Sequence, residues 1–275
     1  MAARYESPEQ AVKVLQTWHI QPGMPARAQS NTLAREVLIN VQITGAGNYM
    51  LLCTPLELEA LAVGFAFSEG LLTVPGDIVS VTTEPTGFWS AAVCLTLREP
   101  PLAGASRNLI VTSSCGLCGS QIEKEIVGPE VGSELRIEGL QLIRIADRLL
   151  QHQSLFEQTG GTHAAGIFNG RGELVSYAED GGRHNALDKA VGKLLLAGRG
   201  AKGCGVIITG RISYELVAKS ARAGLEVVAG ISAPSALATD AAAIRNITLC
   251  GFVRADRLTV YTHPFRVAEV GVSNV

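Results

Sequence analysis

Apolar residues recur at every second position in EVLINVQITG (36–45) and NYMLLCT (48–54), the period of a half-buried strand, and the Gly45-Ala46-Gly47 step between them predicts a hairpin. The period then changes. In PLELEALAVGFAFSEGLL (55–72), Leu58, Leu61, Ala62 and Phe65 fall at helical spacing, with Thr54 as expected N-cap and Pro55 at the first helical position. DIVSVTTE and FWSAAVCLTL read as two more strands, and NLIVT as a third. Residues 31–112 therefore read as a small N-terminal α+β domain. Residues 1–30, with QPGMPARAQS, show no clear period and read as a variable leader.

The second half has another rhythm. LIRIADRLLQHQSLF reads as a helix, and HAAGIF and ELVSYAED as strands around a turn at Asn169–Gly172. RHNALDKAVGKLLLAG, YELVAKSARAG and SALATDAAAIRN read as helices alternating with the strands CGVIITG, LEVVAG and the region TLCGFVRADRLTVYT. This α-β-β-α-β-α-β-α-β order over residues 136–275 predicts a three-layer α/β/α sandwich around a largely parallel or mixed sheet. The order resembles the cytidine deaminase-like fold. Between the two halves, 113–135 reads as a mobile loop and connector. There is no internal repeat or low-complexity tract.

Of 275 residues, 47% are hydrophobic and 17% charged, which excludes a disordered chain. A net charge of −2 provides no global field for nucleic acid, so an anionic ligand must be held by a local cluster. Apolar runs such as AVGFAFSEGLL break well short of the ~18 residues a membrane span requires. The start, MAARYESPEQ, has no secretory pattern, and the cytoplasm is the expected compartment. Cysteines stand at 53, 94, 115, 118, 204 and 250. Without a secretion signal a disulfide framework is not expected, and Cys53, Cys94 and Cys204, in strand-like runs, read as buried thiols.

Cys115 and Cys118 differ: they form CGLC within VTSSCGLCGSQIEKEI. A serine-capped helix start would favour thiolate, and Gly116 and Gly119 would let the loop bend. A zinc site needs about four ligands. This pair supplies two, with no second CxxC or HxxxH, so no metal of the chain's own is expected; a zinc completed by another chain's pair or by distant cysteines is the remaining metal reading. Thioredoxin-like exchange and sulfur transfer stay nearly level on the residues alone.

Two helix starts look like anion sites. EDGGRHNALDK places Gly181 and Gly182 before Arg183, His184 and Asn185, and TGRISYE places Gly210 and Arg211 before another helix. Helix N-termini and arginine both suit phosphate. The plainer alternative is that Asp180 and Asp188 pair with these arginines as salt bridges. In a zinc deaminase the same two starts carry H-x-E and P-C-x-x-C. Here they carry His184-Asn185-Ala186 and Gly210-Arg211-Ile212-Ser213, so deamination is excluded.

TSSCGLCG, TGGTHAAG, EDGGRHNALDKAVG, GRISYELVAKSARAG, SAPSALATDAA and TLCGFVRADRLTVYTH, in this order from about residue 36 to about 265, resemble the FdhD family. Its members are sulfur carriers required for formate dehydrogenase activity. Gly181 stands where many members carry Val, and EVLINVQITG is a loose version of the family's first strand. The resemblance implies a sulfurtransferase that accepts persulfide sulfur from a cysteine desulfurase and passes it to the bis-molybdopterin guanine dinucleotide form of the molybdenum cofactor. The formate dehydrogenase apoprotein is the implied destination. It implies Cys115 as persulfide carrier, with Cys118 assisting or receiving the sulfur. It also implies a cofactor-binding segment at Phe252, Val253, Arg254, Ala255, Asp256 and Arg257, and a homodimer. A CxxC dithiol oxidoreductase and a non-catalytic cofactor-insertion chaperone remain as alternatives.

Overall fold

The computed structural model describes residues 8–87, 89–99, 109–111 and 129–268. Strands β1 (Val12–His19) and β2 (Arg27–Ala34) form an antiparallel hairpin within the stretch read as a leader and its join to the first domain. Most of its side chains are exposed on both faces, so no apolar stripe marks it in the sequence.

β3 (Val37–Ile43) and β4 (Gly47–Cys53) pair antiparallel, as the alternation predicts, and Val37, Ile39, Val41 and Ile43 are all buried. β5 (Ile78–Pro85), β6 (Ser90–Leu97) and β7 (Leu109–Val111) complete a five-stranded sheet of order β5-β6-β3-β4-β7. Helix α1 (Leu58–Ser68) covers one face. It starts later than the Thr54-Pro55 signal predicts: Glu57 occupies the N-cap position in a left-handed conformation (φ 55°). Thr54 Oγ1, the group that would cap, is committed instead to the Gly181 N–H, 2.9 Å away. A partner 127 residues distant overrides the local cap.

In the second half, α2 (Gly139–His152) and the short α3 (Ser154–Thr159) precede β8 (His163–Asn169) and β9 (Leu174–Asp180). Then follow α4 (Arg183–Leu196), β10 (Cys204–Ile208), α5 (Tyr214–Ala223), β11 (Val227–Gly230), α6 (Ala236–Ile244), β12 (Thr248–Arg254) and β13 (Arg257–Thr262). The sheet order is β13-β12-β11-β10-β8-β9, with β10, β11 and β12 parallel and the other pairs antiparallel. Strand alternation sends Ala165, Ile167, Val206, Ile208, Val228 and Leu249 into one apolar cluster. Their neighbours Ala164, Phe168, Ile207, Val227, Ala229 and Cys250 enter another. α2 covers the second face with Leu142, Ile145, Ala146 and Leu149, one stripe at helical spacing, each large side chain contributing about 1.5–3 kcal/mol on burial. A capping box between Glu138 and Gln141 starts this helix.

The first cluster runs on through α4, α5, α6 and α1 to the five-stranded sheet, so both halves share one core. The joint is the α1–α4 crossing. A Cβ on Gly64 would lie 1.8 Å from the Asp188 carbonyl oxygen, and one on Gly192 1.9 Å from that of Ala60. Only glycine lets these backbones approach so closely. No helix among the described residues is long and apolar enough to cross a membrane.

Candidate functional site

β10, β11 and β12 run parallel, so their carboxyl ends share one edge of the sheet; β8, antiparallel to β10, begins there, and β9 ends there. In open α/β sheets this edge is where ligands bind. It carries His163, Asp180–His184, Thr209–Arg211, Ile231–Pro234 and Phe252.

The start of α4 is built from below by a buried network. Asp180 Oδ2 lies 2.7 Å from Lys189 Nζ and accepts the Thr54 N–H, while Oδ1 accepts the Gly182 N–H (2.8 Å) and Asn185 Nδ2 (3.0 Å). Lys189 also donates to the Thr54 carbonyl (3.1 Å), and Thr54 Oγ1 accepts the Gly181 N–H (2.9 Å). Asp188, one residue before Lys189, turns the other way, to Lys219 (2.9 Å) and Ser68 (2.7 Å). Both aspartates are therefore occupied by lysines, which overturns the reading that they neutralise the arginines.

The side chain of Arg183, the first residue of α4, makes no hydrogen bond or ion pair with any described residue, and its Nε is buried without a partner. Its stem lies along the β10–α5 loop, where a Cβ on Gly210 would meet Arg183 Cδ at 3.2 Å. Arg211, next in that loop, is exposed. His184 reaches across to α5: its Nε2 lies 2.9 Å from Glu215 Oε2 and 3.2 Å from Ser213 Oγ. Serine and carboxylate meet the same ring nitrogen, so this is no Ser-His-acid relay, which needs one on each nitrogen. The two predicted helix starts are thus joined into one cluster.

Phe252 belongs to the same edge. Its N–H donates to the Ser232 carbonyl (3.2 Å), its φ is +52°, and the β12–β13 register shifts between Gly251 and Arg254. This bulge turns the Phe252 ring outward, while Val253 is buried toward α2. Arg254, Ala255, Asp256 and Arg257 form the exposed hairpin turn, with Arg254 opposite Arg257.

Cys115 and Cys118 lie outside the described residues. The chain leading to them is described up to Val111, which pairs with Leu51 in strands parallel to one another. The same end of β4 leads to Thr54 and so to Asp180. Among the other thiols, burial pushes Cys250 up to about 12 and raises Cys204 and, most strongly, Cys53, which the Asp180 charge raises further. Cys94 is half-buried rather than buried as the sequence predicts, and its thiol donates to Gln42 Oε1 at 3.5 Å. It borders a shallow concavity of about 390 Å³ at the β3–β4 turn, the opposite end of β4 from Thr54. No cluster of three or more metal-ligating side chains occurs among the described residues.

Sequence reasoning read Thr54 only as a helix cap and did not single out Lys189 or His163. Thr54 reveals itself only in contacts over more than 120 residues, and Lys189 only in its pairing with Asp180 and its bond to the distant Thr54 carbonyl; His163 stands in TGGTHAAG, a lone histidine opening a strand.

The family model FdhD/NarQ matches residues 34–268. A sulfur carrier protein FdhD of Bordetella parapertussis is 36% identical over 250 residues, covering 89% of this chain and 90% of the relative. One of Xanthomonas campestris pv. campestris is 35% identical over 280 residues, covering 99% and 98%. A third, of Picrophilus torridus, is 36% identical and covers 79% and 83%. In fold, the chain is similar to the crystal structure of a putative formate dehydrogenase accessory protein from Desulfotalea psychrophila. The TM-score is 0.75 at 23% identity, with 94% of this chain and 99% of the other covered. On these matches, the chain belongs to the FdhD/NarQ family.

Proposed function

We propose that this protein is a cytoplasmic sulfur carrier that serves formate dehydrogenase. Its family membership and its similarity to sulfur carrier proteins support sulfur carriage. The observation that carries the reading here is the pairing of Arg183, which has no ion-pair partner among the described residues at the start of α4, with the Arg211 loop across from it. Such a cluster suits the phosphates of a guanine dinucleotide, and bis-molybdopterin guanine dinucleotide is the acceptor cargo this reading assigns. The exposed Arg254 and Arg257 would add phosphate contacts, Asp256 would accept from a guanine edge, and Phe252 offers a ring at the same sheet edge. A deaminase-like arrangement would agree with this, since arginines stand at the two helix starts where such a fold would place metal ligands.

The sulfur enters at the CGLC pair. The Cys115 thiolate attacks the outer sulfur of the desulfurase persulfide; the donor's S–S bond breaks, the donor leaves as thiolate, and Cys115 becomes the persulfide, with no net oxidation. Cys118 assists release or receives the sulfur in turn. Cys115 follows Val111 by four residues, a tether of at most about 14 Å from the strand end beside Thr54. A homodimer is part of the proposal.

The test is a desulfurase and cysteine added to the purified protein, followed by intact mass spectrometry. One added sulfur atom is expected on the wild type and none on Cys115→Ala. A reversible Cys115–Cys118 disulfide with no added sulfur would replace the proposal with a dithiol oxidoreductase, and stoichiometric zinc would replace it with a zinc-bridged chaperone.

A further inference from the structure

The imidazole of His163 sits against the same glycine as Arg183. A Cβ on Gly210 would meet Arg183 Cδ at 3.2 Å and His163 Cε1 and Nδ1 at 3.3 Å each. The position is fixed from both sides. His163 opens β8 opposite Asp180 of β9, and the next residue, Ala164, exchanges bonds with Thr209: its N–H donates to Thr209 Oγ1, and its carbonyl accepts the Thr209 N–H. The ring is half-buried, and no described residue hydrogen-bonds it.

Arg183 and His184 of α4 and Asp180 of β9 are the titratable groups that face it. Burial holds His163 below the ordinary imidazole range, Arg183 and His184 push the same way, and Asp180 opposes them. Asp180 is already shared among Lys189 and three N–H donors, so it has little left for a further cation. An imidazole and a guanidinium side by side, neither with a side-chain partner among the described residues, are poorly satisfied by those residues alone. An anion held at the start of α4 would change both balances, accepting from the guanidinium and attracting a proton to the ring.

We propose that His163 is a further phosphate-binding residue of this site and takes up a proton from solvent as the ligand binds, so that the phosphate meets two cations. This rests on the reading of the site as a guanine-dinucleotide site and adds a residue to it. The linkage has a definite sign. A group whose pKa rises on binding draws the ligand more tightly as pH falls from the bound value toward the unbound one. A neighbouring opposite charge moves a pKa by about 1–3 units. His163 starts below the ordinary imidazole range, so this rise carries it toward neutral pH, and a gain of about 3- to 10-fold in affinity from pH 8 to pH 6 is expected.

GDP is the probe. Titration calorimetry at pH 6 and pH 8, repeated in buffers of different ionisation enthalpy, reads affinity and proton uptake together; the nucleotide's own phosphate titration is common to all variants. Wild type is expected to take up more protons than His163→Gln and to lose its excess gain at low pH on that substitution. His19→Gln, on the exposed β1, is expected to match the wild type. Proton NMR of the wild-type His163 ring, assigned through the backbone of β8, should show its titration midpoint rising on GDP addition, and serves if the variant fails to fold. GDP binding with equal uptake in wild type and His163→Gln and an unmoved midpoint would overturn the inference and leave the site reading standing. Absence of GDP binding at both pH values would overturn the two together.

Discussion

Lys189 and Asp180 form an ion pair of 2.7 Å in which neither side chain reaches solvent. Through it, the end of β4 and the start of α4 become one rigid piece, because both partners also bind the backbone of Thr54. Removing one partner of a buried pair strands the other charge, at a cost of about 3–5 kcal/mol. Lys189→Met is therefore expected to be severely destabilised in urea unfolding, and Asp180→Asn added to it should recover part of the loss. A single variant with wild-type stability would show that water reaches the pair.

Gly192 gives a second prediction. Its missing Cβ is what allows α4 to touch Ala60 of α1. The obstacle is backbone, which cannot rotate aside, so Gly192→Ala should cost at least the about 1–3 kcal/mol typical of overpacking. The expected readout is a lower Tm, with Gly23→Ala as the contrast: nothing lies near that site, so its penalty is confined to the strain of its φ of +81°. Equal small effects at both would mean the helices separate easily.

Residues whose partners are near in sequence or set by period were legible before the structure. β3, the α2 stripe and the alternating second half follow from periods of two and 3.6, and the turn at Asn169 from its own side chain, which accepts from the N–H groups of Arg171 and Glu173. The β1–β2 hairpin was not legible, since a ribbon exposed on both faces has no buried period to display. Thr54 shows the other failure. Ser, Thr, Asp and Asn signal caps only while their side-chain oxygens are uncommitted, and the Gly181 N–H claims the Oγ1 of Thr54 from across the fold. At the site, the paired helix starts with Arg183 and Arg211 were readable, but the lysine partners of Asp180 and Asp188 were not, because charge alone does not say which cation is near.

The described thiols make a third prediction. Cys53 and Cys250 are buried, and burial holds both as thiols, Cys250 up to about 12. The thiolate is the reactive form, so neither should alkylate in the folded protein at pH 8. Native iodoacetamide labelling followed by peptide mass spectrometry should find both unmodified until denaturant is added. Rapid labelling of either in the native state would contradict this packing and would reopen which sulfur a donor persulfide can reach.

Arg183 and Arg211 differ in burial, and that difference predicts unequal effects. Arg183 is partly buried with an unpartnered Nε, so a phosphate there would gain a charge-assisted bond in a site partly shielded from water. Such bonds contribute about 1.5–3 kcal/mol, so Arg183→Ala should weaken GDP binding by about 10- to 100-fold. Arg211 is exposed, where water and salt screen its charge, and Arg211→Ala should cost no more than about 5-fold and lose even that at high ionic strength. Calorimetry at low and at molar salt separates the two. If Arg183→Ala binds GDP as the wild type does, the guanidinium serves packing against Gly210, and the phosphate must be sought nearer the exposed Arg254–Arg257 turn.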